Sequence, residues 1–185
     1  MVIGWIIGIA LALIVIIFIY YFNKLVVLSN RIDNSLSQID VQLKKRADLV
    51  PNLLESVKGY ASHEKKIMAD VTNARKALLS AKTISSRVKA GAELETALKS
   101  IFAIAENYPQ LRANENFLQL QNELSAIEDK IAYSRQFYND SILSYNNTVE
   151  AFPGNLFAKV YNKKEKEFLQ IPAEERAVPK VKFEG

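Results

Sequence analysis

The sequence predicts an all-α protein: an N-terminal transmembrane helix continuing into a long-helix antiparallel bundle of three to four helices. Three observations carry this. Residues 2–22 contain no charge. Residues 34–81 repeat apolar side chains at alternating steps of three and four, the period of a helix that buries one stripe. A second such stretch follows over residues 114–151. The expected organisation is a membrane helix at 1–22, a helical stalk at 23–33, a bundle at 34–168 and an extended or disordered tail at 169–185.

The first stretch holds fourteen Ile, Val, Leu and Phe side chains, each favouring insertion by about 0.3–0.6 kcal/mol. As a helix it spans roughly 31 Å, the thickness of a bilayer's hydrocarbon core. Trp5, Tyr20 and Tyr21 lie near its ends, where aromatic rings prefer the interface. A cleaved signal would start basic and end on small residues, whereas this run starts Met-Val-Ile and ends Tyr-Tyr-Phe-Asn-Lys. The lipid bilayer is therefore the first expected partner. No cation precedes the helix, and Lys24, Arg31, Lys44, Lys45 and Arg46 follow it. The positive-inside rule then places the N-terminus outside and the bundle in the cytoplasm, at the cell (inner) membrane. Gly4, Gly8 and Ala12 share one face, and small residues at that spacing let membrane helices pack closely.

In the second stretch the seam runs from Leu36 through Ile39, Leu43, Arg46, Val50, Leu53, Val57, Tyr60, Glu64, Ile67, Val71, Ala74 and Leu78 to Ala81. Pro51 interrupts the hydrogen-bond ladder, so the helix kinks or restarts there; unbroken apolar register favours a kink. Gly59 reads as a point where another backbone comes close. Arg46 and Glu64 place charge in the seam and need partners from other helices. Lys44 and Lys45, beside them, are either a solvated face or a docking element.

The run Gln38-Ile39-Asp40-Val41-Gln42-Leu43-Lys44-Lys45-Arg46-Ala47-Asp48-Leu49-Val50-Pro51-Asn52-Leu53-Leu54, continued by Val57-Lys58-Gly59-Tyr60-Ala61-Ser62-His63-Glu64, closely resembles the opening of the LemA family. Asn107-Tyr108-Pro109-Gln110-Leu111 resembles its interhelical motif. The resemblance implies a bacterial membrane protein with one N-terminal span and a helical bundle. Some relatives belong to magnetosome membranes and some are associated with HtpX-type membrane metalloproteases. It assigns no reaction.

Beyond a polar turn at 82–86, with Ser85 or Ser86 as its cap, a helix to Glu106 is expected, weakened early by Gly91. The last long helix keeps a seam through Ile131, Arg135, Tyr138, Ile142, Tyr145 and Val149, with one stutter. Arg135, Tyr138 and Tyr145 are expected to make polar contacts between helices. Asn155 is expected to cap a short turn that packs Leu156, Phe157 and Val160 on the bundle end, and residues 163–167 to form a solvated charged face. Val178, Val181 and Phe183 could pair with a neighbour as a strand.

Chemistry is sparse. The chain has no Cys, one His and six Gly without a phosphate-loop pattern. No catalytic, cofactor-binding or metal-binding residues are expected. The net charge of +4 is dispersed among many acids and no nucleic-acid motif occurs, which argues against nucleic acid as a partner. The expected function is non-enzymatic: a membrane-anchored bundle that self-associates as a homo-oligomer into a scaffold. The alternative is an adaptor that binds and regulates a membrane protein, such as an HtpX-type metalloprotease.

Overall fold

The computed structural model describes residues 1–169, and every regular element among them is helical. In chain order these are α1 (Val2–Lys58), α2 (Lys65–Ser80), α3 (Ile84–Ala105), α4 (Pro109–Arg112), α5 (Glu115–Glu150) and α6 (Gly154–Val160). The tail expectations at residues 170–185, including Val178, Val181 and Phe183, lie outside the described residues. The chain divides into two compact units: one of Met1–Gln38 with Tyr133–Phe168, the other centred on Ile39–Ala132.

The sequence reading needs correction along α1. The helix passes through Pro51 and ends instead at Lys58, so residues 34–81 are two helices. Gly59 is the poorest helix former in the run apart from the proline. Beyond it, the amides of Tyr60 and Ala61 both turn back to the Val57 carbonyl, at 3.0 and 2.8 Å. The heptad count therefore lapses: Ala61 is buried where Tyr60 was expected, and Tyr60 is exposed. Gly59 meets no foreign backbone; a Cβ there would touch only the Ser56 carbonyl, at 3.8 Å.

In the Ile39–Ala132 unit α2 returns antiparallel to α1. The Arg75 Nε donates to the Ala47 carbonyl at 2.7 Å, the two residues lying equally far from Ala61. Thr83, rather than Ser85 or Ser86, caps α3. Its hydroxyl accepts from the Ser86 amide at 3.2 Å while the Ser86 hydroxyl accepts from the Thr83 amide at 3.1 Å, a reciprocal capping box. α4 is a single turn begun by Pro109 at its first position, where a missing N–H costs nothing. The Asn114 side chain then caps α5 by accepting from the Phe117 amide at 3.0 Å. Ile39, Leu43, Val50, Leu53 and Val57 of α1, Val71 of α2, Leu94, Leu98 and Ile101 of α3, and Phe117 and Leu124 of α5 are buried in this unit.

In the other unit Leu25, Leu28 and Ile32 of α1 pack with Ile142 and Tyr145 of α5, bordered by Tyr138, Val149 and Tyr161. α6 differs from expectation. Pro153, not Asn155, precedes it, and no side chain caps it. Gly154 and Ala158 are its buried residues, while Leu156 and Val160 are 52% and 65% exposed. At one hundred degrees per residue those two lie opposite the buried pair, so they cannot share its contact. The expected solvated face at 163–167 also fails at Lys166. Its amide and carbonyl are both bonded to the Asn146 side chain, at 2.9 Å each, and its ammonium lies 5.3 Å from the centre of the Tyr145 ring.

Two glycines are packing residues. A Cβ on Gly91 would stand 2.7 Å from Leu43 Cδ2, the end of a flexible side chain. A Cβ on Gly154 would stand 2.1 Å from the Thr148 carbonyl oxygen and 3.2 Å from Tyr21. Gly154→Ala is therefore expected to cost about 3 kcal/mol or more, because backbone must move, and Gly91→Ala about 1 kcal/mol, because Leu43 can turn aside. Urea unfolding of the detergent-solubilised chain, followed by far-UV circular dichroism, measures both; an equal loss would contradict this difference in packing.

Candidate functional site

Of the two charged residues the sequence sets in the apolar seam of residues 34–81, Arg46 is 1% exposed. Its Nη1 lies 3.3 Å from the Gly91 carbonyl and 3.5 Å from Glu95 Oε2, both on α3. The Lys99 ammonium, one turn along α3, donates to Glu95 Oε1 at 2.7 Å and lies 3.7 Å from Glu128 of α5. Two cations and two carboxylates thus join α1, α3 and α5. They line a cavity of about 200 Å³ with Phe102 and Gln121. A further pair, Arg87 with Asp40, also links α3 to α1.

The two carboxyls are pushed apart. Burial works against ionisation of Glu95, but hydrogen bonds with Lys99 and Glu128 and the Arg46 and Lys99 charges outweigh it, leaving its pKa below the ordinary value. Burial, then the hydrogen bond and negative charge of Glu95, hold the Glu128 pKa above that value. Lys99 is raised, chiefly by its bond to Glu95. The pair therefore ionises in sequence, Glu95 first and Glu128 at higher pH.

The other residues singled out from the sequence are dispersed. Glu64 precedes α2, half-buried, and accepts from the Tyr108 hydroxyl at 3.2 Å. Lys44 is exposed and paired with Asp48 at 2.8 Å, one turn along α1. Lys45 is exposed. Arg135 and Tyr138 are half-buried on α5. Burial, followed by the nearby Asp33 charge, raises the Tyr138 pKa. Tyr145 is buried, which raises its pKa. Gly4 and Gly8 have nothing within 4 Å of a built Cβ, and Ala12 is exposed beside them. Among the described residues no group of three or more His, Cys, Asp or Glu could hold a metal ion.

Sequence reasoning missed Glu95, Lys99 and Glu128. They look like ordinary solvated charges because each stands next to the apolar seam rather than in it. The available signal was Arg46, whose burial requires an acid at matching height on a neighbouring helix.

Removing one member of a buried pair strands the other. Arg46→Ala is expected to cost about 3 kcal/mol, whereas Lys44→Ala, at an exposed pair one turn apart, costs less than about 0.5 kcal/mol. Glu128 binds its proton more tightly folded than unfolded, so its contribution to stability falls as pH rises above the ordinary glutamate value of 4.5. Glu95 is the reverse: its contribution is present above that value and is lost as pH falls through its lowered folded pKa. Glu128→Gln is therefore expected to unfold at higher urea than the unaltered chain at pH 7 and to lose that advantage near pH 4. No change in the difference with pH would contradict the raised Glu128 pKa.

Residues 35–183 match the LemA family. Over 151 residues the chain is 28% identical to "Protein LemA" of Metamycoplasma hominis, covering 76% of this chain and 68% of that protein. It is 30% identical over 74 residues to "Magnetosome protein MamQ 2" of Paramagnetospirillum magneticum, covering 40% of this chain and 27% of the relative. It is 23% identical over 158 residues to "Magnetosome protein MamQ" of Magnetospirillum gryphiswaldense, covering 71% and 58%. The match extends over most of the chain, from Ser35 within α1 through α6, and on that ground the chain belongs to the LemA family.

Proposed function

We propose that this chain is a non-enzymatic, single-pass membrane protein whose helical body lies on the cytoplasmic side and which assembles with copies of itself into a membrane scaffold. The observation that carries the reading is the first part of α1. It is long and apolar enough to cross a bilayer, and of residues 1–22 all but Phe18 and Tyr21 are exposed. Such a surface has no stable place in water. Self-association is supported by Gly4 and Gly8, whose open face leaves room for a second helix. The charged cluster around Arg46 pairs its charges with one another, which fits a part that sets helix register better than one that turns over a substrate. A scaffold also agrees with the naming of three relatives as magnetosome proteins.

An adaptor that docks on a membrane protein, such as an HtpX-type metalloprotease, is the second reading. Exposed Lys45, next to Lys44, favours it. Mass measurement of the full chain in detergent separates the two. The scaffold reading expects a defined homo-oligomer that Gly8→Leu reduces in mass, with carbonate failing to extract the protein from vesicles. A monomer that gains mass only with a partner supports the adaptor, and release into carbonate removes both.

A further inference from the structure

We propose that α6 and the turn before it are a second membrane contact, lying in the lipid interface beside the end of the span. This rests on residues 2–22 being the span.

Phe18 and Tyr21 are the residues of that run which the fold covers, and α6 with the turn after it is what covers them. The Phe157 ring stacks on Tyr21 with centroids 4.9 Å apart and meets Phe18 edge-on at 5.4 Å. The Tyr161 hydroxyl donates to the Phe18 carbonyl at 3.0 Å. Phe18 lies four residues inside the end of the charge-free run, which is roughly 6 Å along a helix axis. α6 is thereby held at the level where acyl chains give way to headgroups, the depth at which amphipathic helices rest.

What α6 presents away from α1 suits that level. Phe152, Leu156 and Val160, at steps of four, are 80%, 52% and 65% exposed. In water this stripe next to the span would be an apolar liability; in lipid it adds to insertion. No acid occurs from Ala151 to Lys164, while Lys159, Lys163 and Lys164 are exposed and can snorkel to anionic phosphates. Lys24, 5.8 Å from the centre of the Tyr21 ring, adds a cation at the same boundary. The occupant is the bilayer because the span must bring lipid to the side of any element packed on Phe18.

The chain has no cysteine, so single labels can be placed cleanly. A bimane on Leu156→Cys and, separately, on Val160→Cys is read in vesicles of phosphatidylcholine and phosphatidylglycerol. The quenchers are shallow spin-labelled lipid, deep spin-labelled lipid and aqueous iodide. Both labels are expected to be quenched several-fold more by shallow lipid than by iodide, and Asp140→Cys, exposed on α5, the reverse. Ile14→Cys tests the span and should respond to deep lipid. If Ile14→Cys responds and the α6 labels answer only to iodide, α6 is in water and the proposal fails while the span stands. Labels shielded from both quenchers would mean that protein, such as a second copy, covers α6, which also overturns it. An Ile14→Cys label open to iodide removes the span and the proposal together.

Discussion

A helix satisfies its backbone polar groups internally, so its side chains decide what it can rest against. α1 changes that decision once along its length. Through residue 22 it is apolar on every side, and only lipid or a complete protein shell can surround such a surface. From Leu25 onward it is apolar on one stripe, which needs neighbours on one side and water on the other. Both demands fall on a single unbroken helix, and the other elements answer the second: α5 with Leu25, Leu28 and Ile32, and α2 and α3 with the stretch from Ile39 to Val57. The packing at Phe18 and Tyr21 is the place where the protein also covers a small part of the first.

The buried charge at Arg46 follows from the same helix. An apolar stripe alone specifies a partner poorly, since leucines slide past one another at little cost. A guanidinium in the stripe accepts only a neighbour that brings an acid to its height, and α3 does so with Glu95 and the Gly91 carbonyl. Gly91 permits the approach by leaving room for Leu43. Glu128, holding its proton more readily than an ordinary glutamate, and Lys99 bring α5 into the same balance. Each charge is compensated within the unit, which is what the proposed register role requires.

Much of this was legible in advance from local pattern. The charge-free run, the three-four repeat of the long helices and the start of α5 near Asn114 all depend on residues within a few turns of one another. Ile67, Val71 and Leu78 keep the rhythm of the seam past Gly59, yet a chain that stops and restarts can resume the same spacing on a new helix. Apolar character alone points Leu156 and Val160 inward. Gly154 and Ala158, small enough for the α5 backbone and the Tyr21 ring to approach, took that side instead. Charge alone points Lys166 to water, though Asn146, twenty residues earlier, holds its backbone.

The sequence by itself determined the helical class, the long apolar start of α1 and the charge that had to be buried, because periodicity and transfer energy are properties of neighbouring residues. Only the tertiary structure decided where α1 ends, which acids meet Arg46 and which side of α6 faces α1. Those depend on groups far apart along the chain, such as Arg46 with Glu95 and Phe18 with Tyr161, and on the space left by glycines. No local pattern records such distances.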